Sequence, residues 1–342
     1  MGAMPRLERA YADLSRPLQE YAFTVNLPEV GSRLDLLLRA RFPWRSRTQF
    51  QGMLERGEVT VDGRQAKASQ RLHEGERVAV RIPRDPRAPE LEDGSDLVLL
   101  YEDESLVAVD KPSGMTVHPV GRIRHGTLIN KLHARYRREG AAGDVVPRLG
   151  HRLDKDTSGI VLVVKNRSVD AAVTELFTRR QVRKTYLALV EGVPDEQEGT
   201  IDAPLAPDPE GETLLHMRVD PQGQRSRTRW RVLERFARHA LLELSPLTGR
   251  THQLRVHLAH LGHPIVCDHL YGDVRPLWRG DFDGRARGAA DEPLLARLAL
   301  HAQRLEFLHP VSGAPLDLVS PLPADLEGTL VALRAAAEAA CR

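Results

Sequence analysis

The stretch HRLDKDTSGIVLVVK, residues 151–165, sets a histidine, an arginine and two aspartates directly against an apolar run. An apolar run of this length, entered through Thr-Ser-Gly, reads as a strand buried on both faces. Charge at the mouth of such a strand costs free energy unless it is paired or used. Asp154 and Asp156 stand two apart, so in an extended chain they share one side. A hard-metal site there would need further oxygen ligands, and no neighbouring acidic cluster supplies them. For a single aspartate the alternative is an Asx-type turn. Nucleophile, base, metal ligand and turn-former all remain open for Asp154 on these residues alone.

Outward from this stretch, LVLLYEDESLVAVDKP reads as two short strands joined by a turn. SVDAAVTELFTRRQ reads as an amphipathic helix, with Val169, Ala172, Val173, Leu176 and Phe177 on one face. KTYLALVEG and HALLELSP read as strands. RTHQLRVHLAHLG reads as a helix ended by Gly262, with Leu254, Leu258 and Leu261 as its buried stripe. Helices and strands mix without a regular βαβ repeat, which points to an α+β class. The Gly-, Arg- and Asp-rich segment 274–292 is expected to be a surface insertion.

The histidines of that helix invite a zinc reading, but His252 and His257 are five apart and so about 140° from each other. His257 and His260 could share an edge, yet there is no HExxH order and no cysteine partner. They are expected to be partly buried or phosphate-contacting. His252 and Arg255, three apart, project away from the leucine stripe. Arg255 is thus free to meet an acid from another segment. Pairing with Asp154, about a hundred residues earlier, would balance and orient that carboxylate.

The chain has 342 residues, room for one large domain and a small one. No apolar stretch is long enough to span a bilayer. The first residues lack the apolar segment of a secretory signal. Cys267 and Cys341 lie far apart, with no ligand or disulfide spacing. A cytosolic protein is expected. No glycine-rich phosphate loop and no serine nucleophile elbow is present. Residues 1–22 read as a poorly ordered leader, 23–84 as a compact module, 85–96 as a Pro-rich acidic linker, 97–328 as the main domain and 329–342 as a tail or helix.

In the small module, Leu34, Leu37, Leu38 and Phe42 follow helical spacing after a Ser32 cap. A second helix starts at a Ser46 cap, turns Phe50, Met53 and Leu54 inward and stops at Gly57. EVTVDGRQAK reads as a strand with an Asp-Gly turn, and RVAVRIP as a closing strand. Residues 31–83 carry eleven Lys/Arg against six Asp/Glu, a net of +5 in a chain whose net charge is only +2. Cations such as Arg33, Arg39, Arg45, Arg47 and Arg56 on one rigid face suit a shape-reading RNA binder. The alternative is a small regulatory or dimerisation domain.

Together these stretches resemble one family, the RluA-type pseudouridine synthases. DKPSGMTVHP (110–119), HRLDKDTSGIVLVVK (151–165), RKTYLALVEG (183–192) and LTGRTHQLRVHLAHLGHPIVCDHLYG (247–272) resemble its four motifs in order. LHAQRLEFLHPVSG (300–313) and SPLP (320–323) resemble its C-terminal end, and the small module resembles an S4 RNA-binding domain. That pairing is typical of the RluD-like and RluC-like branch, which modifies large-subunit ribosomal RNA. The resemblance implies an α+β fold: a catalytic domain with a mixed, largely antiparallel central sheet flanked by helices, plus an S4-like α/β module.

It further implies Asp154 as nucleophile or base, Arg255 as its ion-pair partner, and Tyr186 packed on the target base and assisting proton removal from C5. Arg152 would help hold the base flipped. His118, His151, His252 and Gln253 would shape the substrate site, and Arg33, Arg45, Arg47 and Arg56 would contact RNA. The expected partner is large-subunit rRNA, with tRNA as the alternative. A monomer with no cofactor, no metal and no membrane contact is expected. SRTRWRVLERF (226–236) departs from the neutral or tyrosine-containing stretch the family often has there. Such a reaction is an isomerisation, so one carboxylate suffices, unlike the paired acids of glycosidases. The target base must leave its stack, and water must be kept from it once detached. A catalytically idle RNA-binding assembly factor and a metal-dependent nuclease or glycosidase are the rival classes.

Overall fold

The computed structural model describes residues 20–42, 46–81, 94–120, 123, 125–138, 145, 147–211, 215–283 and 292–340. Arg45 and most of the expected linker lie outside them. The described residues form two compact units. One comprises those before Asp96 together with those from His118 up to Ala141; the other comprises Asp96–Val117 and those beyond Ala142. The described residues of 118–138 therefore cluster with those of the N-terminal module.

The first unit holds strand β1 (Glu20–Thr24), helices α1 (Leu34–Arg41) and α2 (Arg47–Glu55), strands β2 (Val59–Val61), β3 (Arg64–Gln65) and β4 (Arg77–Arg81), and helix α3 (Leu128–Arg138). The sheet order is β1-β4-β2-β3. Ser46 caps α2 as its sequence predicts: Gln49 N–H donates to Ser46 Oγ (3.2 Å) while Ser46 N–H donates to Gln49 Oε1 (2.8 Å). α1 instead begins after Arg33, with no side-chain cap. Phe50, Met53 and Leu54 of α2 meet Leu34, Leu37, Leu38 and Phe42 over the sheet. The expected leader ends earlier than residue 22. Tyr21 and Phe23 lie in β1, which pairs antiparallel with β4. Local pattern missed that strand because its partner stands over fifty residues away.

The second unit is built on β5 (Val98–Glu102), β6 (Leu106–Lys111), β7 (Arg148–Leu149), β8 (Ser158–Val164), β9 (Arg183–Glu191), β10 (Glu198–Asp202), β11 (Leu205–Pro207), β12 (Met217–Val219), β13 (Arg227–Arg235), β14 (His239–Pro246), β15 (Leu300–Leu308) and β16 (Pro315–Val319). Its helices are α4 (Arg167–Thr178), α5 (Gln253–His260), α6 (Gly280–Asp283) and α7 (Ala324–Ala340). The main sheet runs β10-β13-β14-β9-β15-β8-β6-β5, with β16 beside β15 and β7 beside β8. β15 and β8 are parallel and the other pairs antiparallel, so the sheet is mixed and largely antiparallel, as expected. Every residue of β8 is buried. Val169 and Val173 of α4 close one side of it.

Two expected boundaries shift. α7 runs unbroken across residue 328 and buries Leu326, Leu330 and Leu333, so residues 329–340 belong to the domain. The segment read as an insertion is anchored at its base: Leu277 is buried, and its N–H donates to the Leu295 carbonyl (2.8 Å). Among the described residues no helix is long and apolar enough to cross a membrane.

Gly159 fixes where β8 starts. Its φ is +109°, and a Cβ there would drive into the backbone of Ala302 on the parallel neighbour β15. Gly159→Ala is therefore expected to cost about 3 kcal/mol through backbone strain and overpacking. Thermal denaturation should register a midpoint lower by about 6 °C or more. An unchanged midpoint would mean that β8 and β15 tolerate separation.

Candidate active site

The loop between β7 and β8 carries Asp154, and two side chains, one from the last residue of β6 and one from the turn after it, hold that loop. Lys111 is fully buried, and its ammonium donates to the carbonyls of Pro112 (2.9 Å), Met115 (3.0 Å) and Lys155 (3.0 Å). Three carbonyls match the three donors of an ammonium. Burial pushes the Lys111 pKa down to about 8, against the opposing pull of Asp156 and Asp154. Ser113 O–H donates to the Asp156 carbonyl (2.7 Å). The two residues that follow Asp154 are thus fixed through their carbonyls, while its own side chain stays 30% exposed.

His151 anchors the other end of this loop. Its Nε2 accepts the Leu162 N–H (3.1 Å), and its ring stacks 5.0 Å from Phe177. Burial, with the nearby Lys184 charge, pushes its pKa down to about 3. An imidazole accepting a strand N–H is neutral, so His151 shapes the site through β8. This sets a pH dependence. Below about pH 6.5 the unfolded chain binds a proton that the folded chain refuses, so stability falls as pH drops toward 3. Between pH 6.5 and 5 the loss is about 2 kcal/mol. His151→Gln, whose amide oxygen can accept the same N–H, should remove that part. Urea denaturation of both proteins at the two pH values checks this, and equal losses would contradict it.

Arg255 stands on α5, buried at 2% exposure. Its Nη1 lies 3.9 Å from Asp154 Oδ2, so the structure brings the two together. Asp154 is nevertheless its secondary partner. Arg255 Nε donates to Asp268 Oδ2 (2.8 Å) and Nη2 to Asp268 Oδ1 (2.6 Å), a bidentate pair with a fully buried carboxylate. Asp268 Oδ1 also accepts the N–H groups of Leu270 (3.0 Å) and Tyr271 (3.3 Å). The guanidinium lies 5.2 Å from the Tyr271 ring centroid. Asp268 thus fixes the fork and leaves one nitrogen facing Asp154. The sequence held one signal for it: Asp268 is the sole acid between Glu243 and Asp273.

Tyr271 in turn links to His252. Its oxygen accepts the Met217 N–H (2.9 Å), and its O–H is placed to donate to His252 Nδ1 (2.8 Å). Burial lowers the His252 pKa and pushes Tyr271 up to about 12, so both are neutral. Tyr186 is buried on β9. Burial first, and the Asp154 charge second, raise its pKa. Both effects keep the phenol protonated.

Gln253 is not free for substrate. Its Nε2 donates to Arg227 O and Thr228 Oγ1 (both 3.0 Å), and its Oε1 accepts from Thr248 Oγ1 (2.6 Å) and Arg250 N (3.1 Å). All four bonding positions of the amide are filled. His257 is fully buried between Thr228 Oγ1 and the Ala203 carbonyl, both 2.9 Å, so both ring nitrogens are engaged within the chain. Arg152 is exposed beside the site. His118 lies in the other unit, its Nδ1 facing the Pro119 carbonyl at 3.0 Å. Among the described residues no three or more His, Cys, Asp or Glu side chains are placed to hold a metal ion.

In the small module three of the expected RNA-facing arginines have partners. Arg33 (3.1 Å) and Arg47 (2.8 Å) both pair with the buried Asp35, and Arg56 pairs with Glu58 (2.8 Å). The Arg33 hydrogen bond, with help from Arg47, holds the Asp35 carboxyl below its usual range. The acid pins two guanidiniums between the starts of α1 and α2, and both remain partly exposed.

Comparisons with known proteins bear on this geometry. The family model for RNA pseudouridylate synthase matches residues 105–260, and that for the S4 domain matches residues 32–78. The chain is 39% identical over 327 residues to the ribosomal large subunit pseudouridine synthase D of Xanthomonas campestris, covering 94% of this chain and 95% of that protein. It is 37% identical over 318 residues to the ribosomal large subunit pseudouridine synthase C of Vibrio cholerae, covering 90% and 94%. Among solved structures, Human RNA Pseudouridylate Synthase Domain Containing 4 superposes with a TM-score of 0.56 at 30% identity, covering 69% of this chain and 92% of that one. With an S4 domain ahead of a mixed sheet that brings Asp154 before Arg255, the chain belongs to the RNA pseudouridylate synthases, which are isomerases.

Proposed function

We propose that this protein isomerises uridine in large-subunit ribosomal RNA, with Asp154 as the group that attacks the flipped nucleotide. One observation carries the proposal: a partly exposed carboxylate faces a guanidinium that a second, buried carboxylate holds in place. Such an arrangement aims Asp154 without burying it, as an attacking group needs. The reaction breaks the bond from ribose C1′ to the uracil nitrogen, turns the base and forms a bond from C1′ to C5. The hydrogen on C5 leaves to solvent as a proton, and the freed ring nitrogen takes one up, so the atoms balance. Asp154 is free again at the end, so nothing is consumed.

Tyr186 packs against the base and keeps water off it, consistent with a phenol that stays protonated. Arg152, exposed next to Asp154, fills the gap left by the flipped base. Arg33 and Arg47, held by Asp35, present their outer N–H groups to phosphates. The ribosomal substrate is favoured by the names of the relatives in Xanthomonas campestris and Vibrio cholerae. A monomer working in the cytoplasm fits that substrate.

The test is to incubate the protein separately with transcribed large-subunit rRNA and with tRNA. Pseudouridines are then mapped as carbodiimide-adduct stops in primer extension. Stops in the rRNA alone are the expected result. Stops confined to tRNA would overturn the substrate, and none in either would overturn the activity on free RNA.

A further inference from the structure

Three lysines of the second unit are wholly or partly buried, and two of them have partners. Lys111 donates to three carbonyls, and Lys165 reaches Glu102 Oε1 and the Asp103 carbonyl, both at 2.7 Å. The third, Lys184 on β9, is half-buried and has no ion-pair or hydrogen-bond partner among the described residues. An ammonium drawn from water without an acceptor is costly unless something outside the chain supplies one.

Its position says what that is. Lys184 stands two residues before Tyr186 on one strand, so both side chains leave the same face, their Cα atoms about 6.6 Å apart. Lys184 is close enough to His151 for its charge to act on that ring. Its Nζ lies against Gly249, where a Cβ would sit 3.7 Å away. The Gly249 backbone is not in the left-handed region, so no torsion there demands glycine. What the missing side chain leaves is open space over the ammonium. Gly249 is exposed and precedes the exposed Arg250 on the turn leading into α5.

We propose that the Lys184 ammonium binds a backbone phosphate of the RNA next to the target uridine, with Gly249 keeping its approach open. This rests on the RNA-isomerase reading above. A phosphate flanking a nucleotide lies within one residue's reach of its sugar, which matches the spacing of Lys184 from Tyr186. Burial lowers the pKa of Lys184, and a phosphate arriving beside it would oppose that shift.

The test uses the full chain and an rRNA stem-loop transcript containing the mapped uridine. Lys184→Met should raise KM about tenfold, the worth of a charged hydrogen bond, while kcat changes less than about twofold. The slope of log Kd against log salt should shrink by about one, the signature of one lost phosphate contact. Lys184→Arg should restore most of both. Gly249→Val, which covers the ammonium, should raise KM in the same way. A methylphosphonate at the contacted phosphate should weaken wild type and add nothing to Lys184→Met. Unchanged KM and salt slope, or a fall in kcat alone, would overturn the proposal. The salt slope needs no turnover: if wild type were inactive while the slope still responded to Lys184, the isomerase reading would fail and the phosphate contact would stand.

Discussion

Asp154→Asn is expected to lower turnover by about ten-thousandfold or more while leaving RNA affinity within about twofold of wild type. The substitution keeps the shape and removes only the charge and the lone pair that attacks. The side chain is partly exposed and asparagine fills the same volume, so no core contact is lost. Arg255 keeps its bidentate pair with Asp268, so no buried cation is orphaned. Folding stability should therefore hold. Single-turnover assays, filter binding and thermal denaturation separate the three quantities. Activity above about one part in a hundred would remove Asp154 from the chemistry.

Asp268→Asn is expected to behave in the opposite way toward stability. It leaves the Arg255 guanidinium buried without its charged partner, and such a break costs about 3–5 kcal/mol. The N–H groups of Leu270 and Tyr271 lose a charged acceptor as well. Whatever folds should also turn over about a hundredfold more slowly, because Arg255 is then free to swing toward Asp154. Urea denaturation and kcat on the same preparation check both effects. A variant as stable as wild type would show that Asp154, not Asp268, is the main partner of Arg255. The pair of variants thus separates the group that reacts from the group that holds.

Much of this was legible in the sequence where the signal is local. The apolar run of β8, the hairpin of β5 and β6 and the Ser46 cap each depend on neighbours within a few residues. The approach of Arg255 to Asp154 followed from helical spacing and the resemblance together. The misses share a cause in distance. Asp268 pairs with Arg255 across the end of a helix, and no periodicity links them. Gln253 reads as a polar residue near the site, yet its amide is used by Arg227 and Thr228 on a strand over twenty residues earlier. Counting charges in the small module gave the sign of its surface but not that Asp35 sits between Arg33 and Arg47. Lys111 is a lysine by sequence and a core residue by structure, because three carbonyls converge on it only after β6 and β8 have paired.

The most direct test of the central claim is hydrogen release from C5. Large-subunit rRNA transcribed with uridine tritiated at C5 is mixed with wild-type protein, and tritium in water is counted against pseudouridine in the nuclease digest. Isomerisation through C5 requires one tritium released per pseudouridine formed, no free uracil, and none of either with Asp154→Asn. Tritium retained by the RNA, or uracil released without pseudouridine, would contradict it.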